Sequence, residues 1–395
     1  VGADSLKDAV RDAVDARRGE LLALSHAIHG KPELAFEEHE AARRLVAALR
    51  GAGLEVEAGC HGLPTAFSAE FGAEGAPCVA LLAEYDALPG IGHACGHNLI
   101  ATAAAGAGLA LASLGARLPG RVRVLGTPAE EHGCGKEILA RRGAFEGVDA
   151  ALMIHPAGVN LVTMPCIAMA ELEVAFHGQA AHAAAMPERG VNALDAMMLG
   201  YQAVAALRQH IRPTERVHGI VTDGGQAPNV VPERTAGRFY VRAAEFQDLA
   251  KLKSRVEACF RAGAVATGCE LELAWGEADY RDIHPNEPLA SAFRRNAESL
   301  GREFFPIEKL PPGLQGSTDL GNVSYRMPAI HPMLAAAPVH VTIHNPEFAK
   351  WAASELGDAA ALDGAKALAM TALDFFCDAE LRRRAREAFA AGPPA

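Results

Sequence analysis

Gly92-His93-Ala94-Cys95-Gly96-His97-Asn98 places a thiolate and an imidazole two residues apart, just beyond the apolar run Cys78-Val79-Ala80-Leu81-Leu82-Ala83. Soft sulfur and nitrogen donors at that spacing form a candidate metal corner. A second corner, Thr127-Pro128-Ala129-Glu130-Glu131, follows another short apolar run, Val122-Arg123-Val124-Leu125-Gly126. It offers one carboxylate to bind a metal and another to act on water, so the two corners together indicate a metallohydrolase. Working outward, the first apolar run ends at Glu84-Tyr85-Asp86, and Ala150-Ala151-Leu152-Met153-Ile154 ends at His155. Residues 8–25 and 36–51 read as amphipathic helices, and 100–114 as an Ala/Gly helix whose small side chains permit close packing on a sheet. Short apolar strands separated by helices predict an α/β layer with a mixed sheet. Chemistry in such sheets gathers beyond the carboxyl ends of the strands, where Asp86, Cys95, Glu131 and His155 fall.

From about Ala168 the pattern changes to strands with one wet face. Segments 171–176, 217–221, 238–242 and 270–275 read as strands, and 192–210 and 246–267 as helices. The order β-α-β-β-α-β predicts a small split α+β domain of ferredoxin-like type. The expected organisation is a catalytic metal-binding domain made of 1–166 and 283–395, interrupted by an inserted lid or dimerisation domain at 167–282. Helices beginning at Glu287 and Pro346 complete the first domain.

The chain has 395 residues, half of them hydrophobic and 22% charged, with a formal net charge of -11. That composition suits a globular enzyme and argues against nucleic acid or an anionic membrane as partner. The charged start and the short, glycine-interrupted helix at 100–114 predict a cytoplasmic protein without a membrane span. Eight cysteines are few for this length, and contexts such as those of Cys78 and Cys377 predict buried thiols rather than disulfides.

Taken singly, each feature also has an ordinary structural reading. Cys95 with His97 suits a turn with a core thiol, Glu130-Glu131 a solvated acidic pair, His155 a strand end, and His344 a helix cap. Their conjunction at four element edges favours metal, because two closely spaced divalent ions need anionic or imidazole ligands from several elements.

Ile28-His29-Gly30-Lys31-Pro32-Glu33-Leu34, Tyr85-Asp86-Ala87-Leu88-Pro89, Gly92 to His97 and Pro128-Ala129-Glu130-Glu131 resemble motifs of the aminoacylase- and carboxypeptidase-like dinuclear metallopeptidases. The similarity is to their amidohydrolase branch, which holds auxin-conjugate, N-acyl-amino-acid and aminobenzoyl-glutamate hydrolases. It continues through Gly178-Gln179-Ala180-Ala181-His182, Asn229-Val230-Val231-Pro232, Ser317 to Ser324 and His344 to Phe348, and so spans both expected domains.

The resemblance implies Cys95 as a ligand shared between two zinc or manganese ions, with His97, Glu131, His155 and His344 as the other ligands and Glu130 as general base. It implies His182 as a donor to the scissile carbonyl, often from a neighbouring subunit, and Asn229 and Arg242 as substrate-binding groups, the arginine for a carboxylate. Asp86 is expected to orient a ligand. Asn98 stands where the branch often has Asp, and is expected to support the ligands without adding charge. Glu84 occupies a position where more distant peptidases place a metal-binding His. Ser317, Thr318 and Asp319 are expected to line the metal pocket or hold His344. The implied activity is metal-dependent hydrolysis of an N-acyl amino acid, an aminobenzoyl-glutamate-like conjugate or a dipeptide by a homodimer paired through the insert. The alternative is a noncatalytic binding protein on the same scaffold, which would bind such compounds without cleaving them.

Overall fold

The computed structural model describes residues 2–310 and 315–392. Residues 1, 311–314 and 393–395 of the expected catalytic domain lie outside the described residues. The chain forms two compact units, one made of Val1–Pro165, Ile283–Leu314 and Asp319–Ala395, the other of Cys166–Asp282 and Gln315–Thr318.

In the first unit, Cys78–Ala83 is buried at all six positions, as a strand covered on both faces must be. It lies between Arg121–Gly126 and Ala150–Leu152, both parallel to it. The six-stranded sheet continues to Ala329–Ile330 on one side and, antiparallel, to Phe67–Gly72 and Glu57–Ala58 on the other. The sheet is therefore mixed. Helix His97–Ala112 is buried from His97 through Leu111. Its small residues let it approach the sheet closely, since a Cβ at Gly108 would stand 2.4 Å from Val124 Cγ2. Each fully buried Leu or Val in such a layer contributes roughly 1.5–3 kcal/mol.

Some element boundaries differ from expectation. The helix expected over 8–25 is two, Ala3–Ala16 and Arg18–His29, broken at Arg17. Buried Leu6, Val10 and Val14 run on in phase to Leu21, so periodicity could not reveal the break. The next helix starts at His39 rather than 36 because Phe36 has φ 65°, outside right-handed helical geometry. Glu33 accepts from the N–H groups of Glu40 and Ala41, satisfying donors at that helix start. The strand expected over 150–154 stops at Leu152, and His155–Ala157 pairs separately with Met333–Ala335.

The second unit contains strand Ala168–His177, helix Ala193–Leu207, strands Arg216–Asp223 and Arg234–Ala243, helix Phe246–Thr267 and strand Glu270–Trp275. The sheet order is Glu270–Trp275, Ala168–His177, Arg234–Ala243, Arg216–Asp223, with every pairing antiparallel, which is the ferredoxin-like arrangement. Leu172, Val174 and Phe176 alternate inward to pack with Phe239, Val256 and Phe260. Asn192 caps the first helix by accepting from Leu194 and Asp195 N–H groups.

Among the described residues no helix is long and apolar enough to cross a membrane. No disulfide occurs among them, and six of the eight cysteines are buried. Cys377, expected inside, is exposed at the last position of helix Glu355–Cys377, where the chain turns to the next helix.

Candidate metal centre

Three adjacent parallel strands deliver the site. Glu84 and Asp86 follow Cys78–Ala83, Glu130 and Glu131 follow Arg121–Gly126, and His155 follows Ala150–Leu152. Cys95 and His97 come from the turn that starts helix His97–Ala112. Between them, Gly96 has φ 76°, and a Cβ there would lie 2.6 Å from Pro156 Cγ and 3.2 Å from Phe348 Cε1. Only glycine lets this left-handed turn pass so close to the residue after His155. His344 is also left-handed, at φ 62°, and its N–H is anchored on Ala94 O at 2.9 Å.

Potential ligand atoms of Cys95, His97 and His155 lie within 4.8 Å of one another, and so do those of Cys95, Glu131 and His344. The two trios share Cys95, whose sulfur carries several lone pairs. Cys95 Sγ is 3.4 Å from His155 Nε2, and His344 Nε2 is 3.4 Å from Glu131 Oε1. The imidazoles are oriented from behind. His97 Nδ1 lies 3.0 Å from Asp86 Oδ1, and His155 Nδ1 lies 2.8 Å from the carbonyl of Pro156. Each Nδ1–H donates to that oxygen, so Nε2 faces the centre, where the neutral ring offers its lone pair to a metal. Asp86 Oδ2 accepts the N–H of Glu131 at 2.9 Å, so one buried carboxylate fixes two would-be ligands.

A metal fits this donor set. His97 Nε2 and Glu131 Oε1 are buried without a hydrogen-bond partner, a costly state that coordination would relieve. Thiolate, imidazole and carboxylate are the donors that zinc takes, and manganese accepts the harder ones.

The electrostatics are severe. Burial and the neighbouring Glu84, Glu131 and Asp319 push Glu130 well above the ordinary carboxylate range. Burial, reinforced by Glu131, pushes the Cys95 thiol up, while burial pulls His155 down to about 4. Burial also opposes charge on His97, but Glu84, Cys95 and Asp86 outweigh it and hold that imidazole well above its usual value. A buried lysine, Lys136, joins the group, and Asp319, Glu84 and Glu130 overcome the burial that works against its ammonium and keep it charged.

The remaining expected residues divide between the units. Asn98 does not support the ligands: its Nδ2 donates to Ser25 Oγ and Ala352 O, each at 2.9 Å, tying helices together. One helical step past His97 turns its side chain by about 100° away from the corner. Asp319 bonds Lys136, and the N–H of His344 donates to Ala94 O while its ring nitrogen lies 3.4 Å from Glu131 Oε1. In the second unit, which takes Thr318 as its last residue, Ser317 Oγ accepts from Arg242 Nη1 at 3.0 Å and donates to Ile167 O at 2.8 Å. His182 is exposed and bridges antiparallel to Val230, next to Asn229, whose carbonyl accepts from Ala183 N–H. The N–H groups of Ala184 and Ala185 point at His182 Nδ1, at 3.3 and 3.2 Å.

Sequence reasoning missed Lys136, Glu38 and His331. Glu38 is buried and accepts the N–H of Ala129, the residue at φ 61° that precedes Glu130. His331 is fully buried with its ring edge-on to His155, centroids 5.3 Å apart. No local spacing marks these three; the Gly133 and Gly135 flanking Cys134 were the one available sign that the chain folds back beside Glu130.

Residues 167–267 match the family described as Peptidase dimerisation domain, M20 type. The chain is 42% identical to the mouse (Mus musculus) Xaa-Arg dipeptidase over 97% of its own length and 92% of that protein's. It is 29% identical to a p-aminobenzoyl-glutamate hydrolase polypeptide of Escherichia coli over 96% of this chain and 93% of the other. A Bacillus subtilis structure described as a dinuclear metal binding peptidase of the M20 family shares the fold, with TM-score 0.67 at 21% identity, covering 91% of this chain and 98% of that one. With a relative that similar along nearly the full length of both sequences, the chain belongs to the M20 family of metal-dependent peptidases and amidohydrolases.

Proposed function

We propose that this chain cleaves the amide bond of dipeptides or N-acyl amino acids that end in a free carboxylate, with two divalent ions held by Cys95, His97, Glu131, His155 and His344. The observation that carries the reading is the pair of ligand trios sharing Cys95, with Glu130 beside them. When bound, zinc or manganese would polarise the scissile carbonyl and acidify the attacking water. Glu130 takes the proton from that water and returns one to the departing amine, a role suited to a buried carboxylate whose proton affinity its neighbours raise. Asp86 keeps His97 and Glu131 aimed throughout.

The second unit supplies binding and polarisation. The backbone donors on His182 Nδ1 place the neutral ring's proton on Nε2, which then donates to the carbonyl oxygen as negative charge grows there. Arg242, held by Ser317, receives the substrate carboxylate. A homodimer through this unit is supported by the exposed edge strand Arg216–Asp223, where Ile220 is 64% exposed, and by the exposed Met198 and Leu199 on helix Ala193–Leu207. The name of the mouse relative makes dipeptides ending in arginine the first substrates to assay. A net charge of -11 attracts such cations.

The test is Glu130→Ala, assayed on an arginine-terminated dipeptide and weighed for metal. Turnover should fall by roughly 10²–10⁴-fold while metal content stays at the wild-type level. Loss of metal together with activity would remove Glu130 from the role of base.

A further inference from the structure

Lys136 has no part in the proposed reaction, yet its side chain lies wholly inside the first unit. Its Nζ is 2.5 Å from Glu84 Oε2 and 2.6 Å from Asp319 Oδ1, and its backbone N–H donates to Asp319 Oδ2 at 2.8 Å. Asp319 thus grips the residue at both ends. Glu84, Glu130 and Asp319 each bring a carboxylate oxygen within 4.8 Å of the other two, an arrangement that could itself hold a hard divalent ion. The second oxygen of Glu84, Oε1, is buried without a hydrogen-bond partner and stands 3.4 Å from His97 Nε2. Three buried carboxylates need a cation, and here one is supplied by the chain.

We propose that Lys136 is a positioning residue whose ammonium fills the Glu84–Glu130–Asp319 pocket, excludes divalent ions from it, and so confines metal to the two trios that share Cys95. A metal in that pocket would take Glu130 as a ligand and draw Glu84 and Asp319 to itself, away from Lys136. A tethered ammonium carries one charge and leaves the Glu130 carboxylate able to move a proton. The inference rests on the reading of Glu130 as base and of the Cys95 trios as the metal site.

The experiment compares wild type, Lys136→Met, which keeps length without charge, and Lys136→Arg, which keeps charge. Each is saturated with manganese and desalted, then measured for ions per chain, thermal unfolding, kcat and KM. Wild type should hold two ions. Folded Lys136→Met should hold a third and lose about 10–100-fold in kcat with KM little changed, and Lys136→Arg should stay at two ions and recover part of kcat. A folded Lys136→Met that stops at two ions overturns the proposal, whatever its kcat. So does a third tightly held ion in the wild-type chain, a result that needs no variant to fold. A wild type that binds no ion defeats the reading of the site itself, whereas two ions in both wild type and Lys136→Met defeat only the role given to Lys136.

Discussion

Glu38 shows how a residue remote from the chemistry can set its geometry. Its Oε1 accepts the N–H of Ala129 at 2.8 Å, pinning a left-handed alanine directly before Glu130. Burial and the nearby Asp86 raise its pKa from 4.5 to about 7. Between those values the unfolded chain releases a proton that the folded chain keeps. Stability should therefore fall as pH rises through that window and level off above it, by on the order of 3 kcal/mol in all. Glu38→Gln still accepts from Ala129 but cannot ionise, so its stability should lack this slope. Urea unfolding midpoints of the two proteins from acid to neutral pH check this; parallel curves would show that Glu38 ionises normally in the fold.

At the scale of elements, the site depends on turns more than on strands. The strands bring carboxyl ends together, but the left-handed residues Gly96, Ala129 and His344 decide where the side chains point. Gly96→Ala should cost on the order of 1–2 kcal/mol for its backbone alone. The clash of its Cβ with Pro156 and Phe348 adds to that cost. Gly53→Ala is the control, because Gly53 has φ 86° and nothing within 4 Å of the added Cβ. Gly96→Ala should melt lower than Gly53→Ala and lose bound metal, while Gly53→Ala keeps its metal. Equal melting temperatures and metal contents would mean that Pro156 and Phe348 yield without disturbing Cys95 and His97.

At the scale of the whole molecule, the exposed His182 and the edge strand Arg216–Asp223 make completion of one subunit's site by another directly testable. If His182 acts across a dimer, Glu130→Ala and His182→Ala are each inactive alone but complementary after subunit exchange. A mixed dimer then holds one site with both residues intact, so an equimolar exchanged mixture should reach about a quarter of wild-type activity. Absence of recovery after exchange has been demonstrated by mass or label would place His182 within its own chain. A chain that stays monomeric at assay concentration would remove the cross-subunit role.

The residues proposed to carry the chemistry were readable because their signals are local. A Cys-x-His corner, paired glutamates after an apolar strand, and runs that switch from continuous to alternating hydrophobicity all lie within a few positions of one another. Cys95, His97, Glu130, Glu131, His155 and His344, the mixed sheet and the ferredoxin-like insert follow from such patterns and from the family resemblance. Tertiary structure alone decided the company these residues keep. Lys136 meets Glu84 across 52 positions and Asp319 across 183, and nothing near a lysine in sequence distinguishes a buried partner from solvent. The same holds for Asn98, which chemistry would set beside a metal and which the helix turns toward Ser25 and Ala352. Ser317 and Asp319, two residues apart, serve different units for the same reason. Spacing fixes which side chains are available near one another along the chain, whereas packing decides which distant charge each must neutralise once water has been excluded.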